Sequence, residues 1–191
     1  MSINYRLVPD VGPLEQADDV ARAIAAVQRL APNWGGDPAR IALMGHSAGA
    51  HLVALVTASP TIAKNAGAQP WLGSVVLDSA ALDTVGLMQR RHARFYDRVF
   101  GSDAALWRAA SPTEVVAAGA PPMLVICSTQ RSDDSCAQSR RFAAQAEARG
   151  ARAFVLAQDL SHLEVNARLG LPGTETDAVQ AFFDTIGLGA R

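Results

Sequence analysis

Gly45-His46-Ser47-Ala48-Gly49 stands between a short apolar run, Arg40-Ile41-Ala42-Leu43-Met44, and an Ala/Leu-rich segment over residues 50–56. A strand that turns sharply through a serine into a helix has this form. The serine backbone is strained at such a turn, and the residues two places to either side must be almost without side chain, hence the glycines. The Ser47 oxygen then stands exposed at a helix N-terminus, where the N–H of Ala48 and the helix dipole favour a developing oxyanion. Gly-x-Ser-x-Gly also arises by chance in Gly/Ala-rich loops, so the flanking strand and helix patterns give the motif its meaning.

A serine hydroxyl is a weak nucleophile near neutral pH. It needs a base, and the base needs an acid to orient it. Four histidines are available. His46 lies inside the turn and does not easily fold back onto Ser47. His51, one turn into the helix, reads as packed or solvent-facing, and His92, in Arg90-Arg91-His92-Ala93-Arg94, as a surface residue. His162, in Gln158-Asp159-Leu160-Ser161-His162, follows a β-prone run and is the expected base, because reactive groups gather at the carboxyl ends of parallel strands. The acid is expected after the strand at 122–126, in Ser128-Thr129-Gln130-Arg131-Ser132-Asp133-Asp134-Ser135-Cys136. Asp133 and Asp134 compete for that role, and Asp134 is favoured. Either could instead cap the helix that begins near Ser135.

The elements that must hold these groups are short apolar strands alternating with helices. Strands are expected at residues 2–8, 41–44, 73–77, 122–126 and 151–157. Helices are expected from Pro13, over 48–58 and over 137–149, the last closed by Gly150, with a final helix capped by Thr174-Glu175-Thr176-Asp177. This alternation predicts an α/β fold, a mostly parallel sheet flanked by helices, in a single domain over residues 1–191. Residues 84–117 form a polar and aromatic excursion. Within 82–107, Leu87, Met88, Phe95, Tyr96, Phe100 and Trp107 suit either a small cap or pocket wall, or ordinary core.

With 191 residues the chain is long enough to bury a sizeable core. A formal charge of −1 gives no electrostatic case for nucleic acid or an anionic membrane. No stretch has the length and purity of a membrane span, and the first residues lack the pattern of a signal peptide. A cytoplasmic location is the default, with a periplasmic or secreted one open if a signal sequence lies upstream of Met1. Cys127 and Cys136 bracket one loop; they either bridge it or remain two buried thiols. No metal or other cofactor is expected, because no histidine or carboxylate cluster has ligand spacing.

The chain resembles the α/β-hydrolases of the esterase/lipase type, in the branch of small carboxylesterases and kynurenine formamidase-like enzymes. The resemblance rests on Asn4-Tyr5-Arg6-Leu7, on Gly36-Asp37-Pro38-Ala39-Arg40-Ile41 leading into Gly45–Leu52, on Ala110-Ser111-Pro112 with Ala120-Pro121-Pro122-Met123-Leu124, and on Asp159-Leu160-Ser161-His162. It implies Ser47 as nucleophile, Asp134 as orienting acid, His162 as general base and the Ala48 N–H as one oxyanion donor. The family also places a His-Gly-Gly loop upstream of the Asn-Tyr-Arg-Leu strand for the other oxyanion donors. The chain begins at that strand, so the expectation is a shortened form of a longer hydrolase. The strand at 2–8 must then pair directly with the nucleophile strand or leave an apolar edge open. The implied substrate is a small carboxylic ester. A small amide such as a formamide is the alternative, and a non-catalytic remnant without a complete oxyanion hole is the other.

Overall fold

Four short strands, β1 (Ala42–His46), β2 (Gly73–Leu77), β3 (Met123–Ser128) and β4 (Ala153–Gln158), pair in parallel in the order β1-β2-β3-β4. This is a computed structural model that describes residues 1–189. The helices are α1 (Pro13–Leu30), α2 (Ala48–Ala58), α3 (Pro60–Asn65), α4 (Thr84–Met88), α5 (Arg94–Phe100), α6 (Ala104–Ala109), α7 (Pro112–Val115), α8 (Ser135–Ala148), α9 (His162–Ala167) and α10 (Thr174–Thr185). No helix among the described residues is long and apolar enough to cross a membrane.

Side chains of a strand alternate between faces, and both faces of this sheet are covered. Val75 and Leu77 of β2, with Leu124 and Ile126 of β3, pack against Val165 of α9 and Val179 and Phe182 of α10. The intervening Val76, Met123 and Val125 pack against Ala50, Val53 and Ala54 of α2 and Phe142 and Ala146 of α8. Hence β2 and β3 are buried along their whole length and read as unbroken apolar runs. Outside α2 lies α1, begun by Pro13 at its first turn, with Ala17, Val20, Ala21 and Ile24 turned onto Leu52, Leu55 and Val56. Leu87, Met88, Phe100 and Ala110 form a separate small core under α4, α5 and α6.

Two local expectations are corrected. Residues 2–8 form no strand. Side chains of α1 take up the backbone groups a ladder would use: Arg6 N donates to Asp19 Oδ2 at 3.1 Å, and Gln16 Nε2 donates to Arg6 O at 3.0 Å. Among the described residues β1 therefore pairs with β2 alone, and its Met44 is 40% exposed. At the other end, α10 is capped by Gly173 with no side-chain cap, and Glu175 is turned inward. The helix α8 begins at Ser135, as the capping alternative in the sequence allows, and Asp134 Oδ1 accepts the Ala137 N–H at 3.2 Å.

Cys127, at the end of β3, and Cys136, in the first turn of α8, are joined in a disulfide with Cα atoms 5.2 Å apart. The bridge closes the segment 128–135 against the sheet's carboxyl edge.

Candidate active site

Ser47 follows β1 with φ 57° and ψ −118°. Its N–H donates to Leu77 O at 3.0 Å, and its carbonyl accepts the His51 N–H at 3.1 Å, so the turn is pinned to β2 and to the first turn of α2. A Cβ at Gly45 would lie 2.4 Å from Gly49 O, which makes glycine obligatory there. A Cβ at Gly49 would meet open space; its backbone is what Gly45 approaches. Ala48 is the first residue of α2, so its N–H stands at the positive end of that helix.

Directly beyond β2, Asp78 also has a positive φ, 54°, and its N–H donates to Ile126 O at 2.8 Å. Positive φ at two non-glycine residues on adjacent strand ends is the sort of strain that collects at working sites. The Asp78 side chain is fully buried. Its Oδ1 accepts the Ser128 N–H at 2.9 Å and the Ser135 hydroxyl at 2.8 Å, while Oδ2 lies 2.6 Å from His162 Nδ1 and 3.1 Å from Arg131 Nη1. Burial pushes this carboxyl up, but the Ser128 N–H, His162, the Ser135 hydroxyl and Arg131 outweigh it and hold the group below the ordinary carboxylate range.

His162 opens α9. A reciprocal capping box fixes that helix start: the Ser161 hydroxyl faces Glu164, whose carboxylate accepts the Ser161 N–H at 2.9 Å. The preceding loop is tied down where Ser128 Oγ donates to Leu160 O at 2.6 Å. His162 Nε2 lies 2.9 Å from Ser47 Oγ. Serine, imidazole and carboxylate thus form one hydrogen-bonded chain across the ends of β1, β4 and β2. With the proton on Nδ1, facing Asp78, the Nε2 lone pair is free to accept the serine proton.

The structure brings Ser47, Ala48 and His162 together as the sequence suggests, but puts a different acid against the histidine. Asp134 adopts the left-handed conformation and spends its carboxylate on the N-terminus of α8. Asp133 grips the Arg131 guanidinium through both carboxylate oxygens. Asp78 occupies the place between His162 and the sheet. Sequence reasoning missed it, although an aspartate at the end of an unbroken apolar strand, between the serine and the histidine in chain order, is a usable signal.

Arg131 was also missed. Its Nη1 lies 3.1 Å from Asp78 Oδ2, 3.2 Å from Asp78 O and 2.7 Å from His162 Nδ1. Burial alone would lower its basicity, but Asp133 and Asp78 raise it, so the guanidinium stays charged.

The remaining histidines have definite places. His46 does not turn onto Ser47. Its Nε2 donates to His162 O at 2.8 Å and its ring packs on the His162 ring at a centroid distance of 4.5 Å. Burial holds it below its usual pKa, which keeps it neutral. His51 is packed: its Nε2 donates to Ala110 O at 2.7 Å, its ring meets Phe100 edge-on, and burial depresses its pKa as well. His92 bonds Asp97 on α5 at 2.9 Å, away from Ser47.

A cavity of about 290 Å³ opens beside Ser47 and Ala48. Leu7, Ala80, Ala81, Phe95, Tyr96 and Phe100 make most of its wall apolar, with Tyr5, Gln16 and Arg131 at polar points. Of the aromatic stretch, Phe95 and Tyr96 face this cavity, and Phe100 faces it from the small core that it shares with Leu87 and Met88.

A parallel sheet covered on both faces, with a serine elbow after one strand and a histidine after a later one, defines an α/β-hydrolase. Residues 1–145 match the BD-FAE family, and the chain belongs to it. By sequence it is similar to Esterase LipQ of Mycobacterium tuberculosis, 32% identical over 165 residues, which cover 79% of this chain and 38% of that protein. The chain thus spans well under half the length of that relative. Among solved structures it resembles an acetyl ester-xyloside bifunctional hydrolase from Caldicellulosiruptor lactoaceticus, with a TM-score of 0.79 and 23% identity over 98% of this chain and 71% of that one. Esterase B from Lactobacillus rhamnosis aligns with a TM-score of 0.74 and 22% identity over 97% of this chain and 64% of that one.

Proposed function

We propose that the chain hydrolyses small carboxylic esters through an acyl-enzyme on Ser47. The observation that carries this is the pair of distances meeting at His162: 2.9 Å from Nε2 to Ser47 Oγ and 2.6 Å from Nδ1 to Asp78 Oδ2. Ser47 Oγ attacks the ester carbonyl carbon while His162 Nε2 takes its proton. Asp78 holds the Nδ1 proton and stabilises the imidazolium. The oxyanion forms against the Ala48 N–H at the start of α2. His162 then passes its proton to the leaving alkoxide, which departs as the alcohol. Water attacks the acyl-enzyme by the same route, releasing the acid and restoring Ser47.

The apolar wall beside Ser47 suits a short acyl or aryl group, and the α4–α6 excursion supplies its aromatic side. The name of Esterase LipQ supports the same chemistry. The Cys127–Cys136 bridge suits an oxidising compartment.

Hydrolysis of p-nitrophenyl acetate and butyrate by the folded protein, compared with Ser47→Ala, tests this reading. Loss of a nucleophile of this kind typically costs about 10⁶ in kcat. Equal hydrolysis by the two proteins would overturn it.

A further inference from the structure

The cavity beside Ser47 has a largely apolar wall, yet two of its side chains carry hydrogen-bonding atoms that the protein leaves unused. His51 stands one turn along α2 from the nucleophile, its N–H donating to Ser47 O. Its Nε2 donates to Ala110 O, which also accepts the Thr84 hydroxyl at 3.0 Å, and Phe100 meets the ring edge-on. A carbonyl oxygen only accepts, so the ring proton sits on Nε2. The ring is buried and neutral, which makes Nδ1 a bare acceptor. Among the described residues, the side-chain atoms both partnerless and sealed from solvent are Gln138 Nε2 and the two Glu175 oxygens. His51 Nδ1 has no partner among the described residues either, but it is not sealed; it opens onto the cavity that its ring lines.

Gln16 repeats the pattern from α1. Its Nε2 is committed to Arg6 O, and its Oε1, likewise without a described partner, belongs to the same cavity lining. Among the described residues that line this space none is a carboxylate, and Arg131 is already tied to Asp133 and Asp78. Acceptors without negative charge suit a neutral donor, a hydroxyl, rather than an ammonium.

We propose that His51 Nδ1, with Gln16 Oε1, is a specificity determinant that selects an acyl group carrying a hydroxyl two carbons beyond the ester carbonyl. The proposal rests on the hydrolase reading for where the acyl group lies.

The leaving oxygen must come within reach of His162 Nε2, and His162 borders a separate, more open hollow with Ser132 and Ser161. The alcohol therefore belongs on that side, and the acyl group beside Ser47 and Ala48 in the apolar cavity. One helical turn, about 5.4 Å, carries the chain from Ser47 to His51, so a hydroxyl on roughly the third acyl carbon comes within hydrogen-bonding distance of Nδ1. A plain alkyl chain there strips water from both acceptors and gives nothing back. A methyl ether does the same, because it has no hydrogen to donate. Unpaired acceptors thus reject hydroxyl-free analogues more sharply than an apolar wall could.

The experiment compares p-nitrophenyl 3-hydroxybutyrate, 3-methoxybutyrate and butyrate, each kcat/KM divided by the rate of the same ester's hydroxide-catalysed hydrolysis. In the parent chain the hydroxy ester should lead both others by about tenfold or more. His51→Gln keeps a donor for Ala110 O but withdraws the acceptor at Nδ1, and its preference should shrink to near unity. His51→Asn keeps an acceptor near Nδ1 while giving up the Ala110 bond, and its preference should survive, whatever it loses in stability. A parent without the preference, a preference intact in His51→Gln, or its loss in both variants alike would overturn the proposal. Should the His51 variants not fold, the parent's choice of hydroxyl over methoxyl decides. A binding measurement stands apart from turnover: in Ser47→Ala, the ¹⁵N resonance of His51 Nδ1 should shift with methyl 3-hydroxybutyrate and not with methyl 3-methoxybutyrate. No shift, or equal shifts, would overturn the proposal as well. Failure of the hydrolase reading would appear separately, as missing Ser47-dependent turnover of all three nitrophenyl esters.

Discussion

Asp78 Oδ2 lies 2.6 Å from His162 Nδ1 although the two residues stand 84 positions apart. The contact follows from register. Leu77 pairs with Ile126 in β3, and Ser128 of β3 pairs with Gln158 of β4, so the ends of β2 and β4 open onto the same edge two strands apart. The carboxylate then leans across the end of β3, where Ser128 N–H and the Ser135 hydroxyl hold its other oxygen.

If Asp78 orients the base, Asp78→Asn should fold and yet lose about 10⁴ in kcat for ester hydrolysis, with KM little altered, because the amide favours the wrong imidazole tautomer. Asp134→Asn should retain both turnover and the helix cap, since asparagine caps as well as aspartate. Steady-state kinetics on the two variants side by side check this. A large loss in Asp134→Asn with Asp78→Asn unimpaired would restore the sequence expectation.

The bridge between Cys127 and Cys136 closes the segment that contributes Ser128, Arg131 and Ser135 to Asp78. For a loop of this length, loss of the cross-link should cost about 2–3 kcal/mol of stability. The paired substitution Cys127→Ser with Cys136→Ser should therefore lower Tm and reduce kcat more than it raises KM. Thermal unfolding and kinetics, with and without a reductant, test both. Only the bridged protein should respond to the reductant.

Glu175 is buried in the first turn of α10 with no partner among the described residues on either carboxylate oxygen, and burial pushes its pKa up. A carboxyl raised in the folded state is protonated there more readily than in the unfolded chain. Its contribution to stability is fully present below the unfolded value and is lost as pH rises through the folded one. Glu175→Gln removes that loss. The variant should match the parent near about pH 4 and exceed it in Tm near about pH 8. A variant less stable than the parent at the higher pH would mean that Glu175 has a partner when folded.

Much of this arrangement is legible in the chain. Strands β2 and β3 announce themselves because both faces are buried, which makes them unbroken apolar runs, and the elbow is written in Gly45 and Ser47. The choice of acid is harder. Two adjacent aspartates after β3 draw attention to the loop, but one is consumed by the α8 N-terminus and the other by Arg131. Neither fate has a signature beyond the immediate sequence. Asp78 was within reach of pattern reasoning, as the residue at which the β2 run stops. By contrast, the contacts of Arg131 and of His46 with the base depend on which loops meet at the sheet edge. Residues 2–8 look β-prone, yet Asp19 and Gln16 of α1 claim the backbone of Arg6.

Activation of Ser47 by His162 is what the proposed hydrolysis depends on. Its most direct test is to treat the folded protein with a fluorophosphonate and map the adduct by peptide mass spectrometry. One adduct is expected, on Ser47, formed quickly by the parent protein, far more slowly by His162→Ala and not at all by Ser47→Ala. An adduct on another residue, or labelling of Ser47 at the same rate without His162, would contradict it.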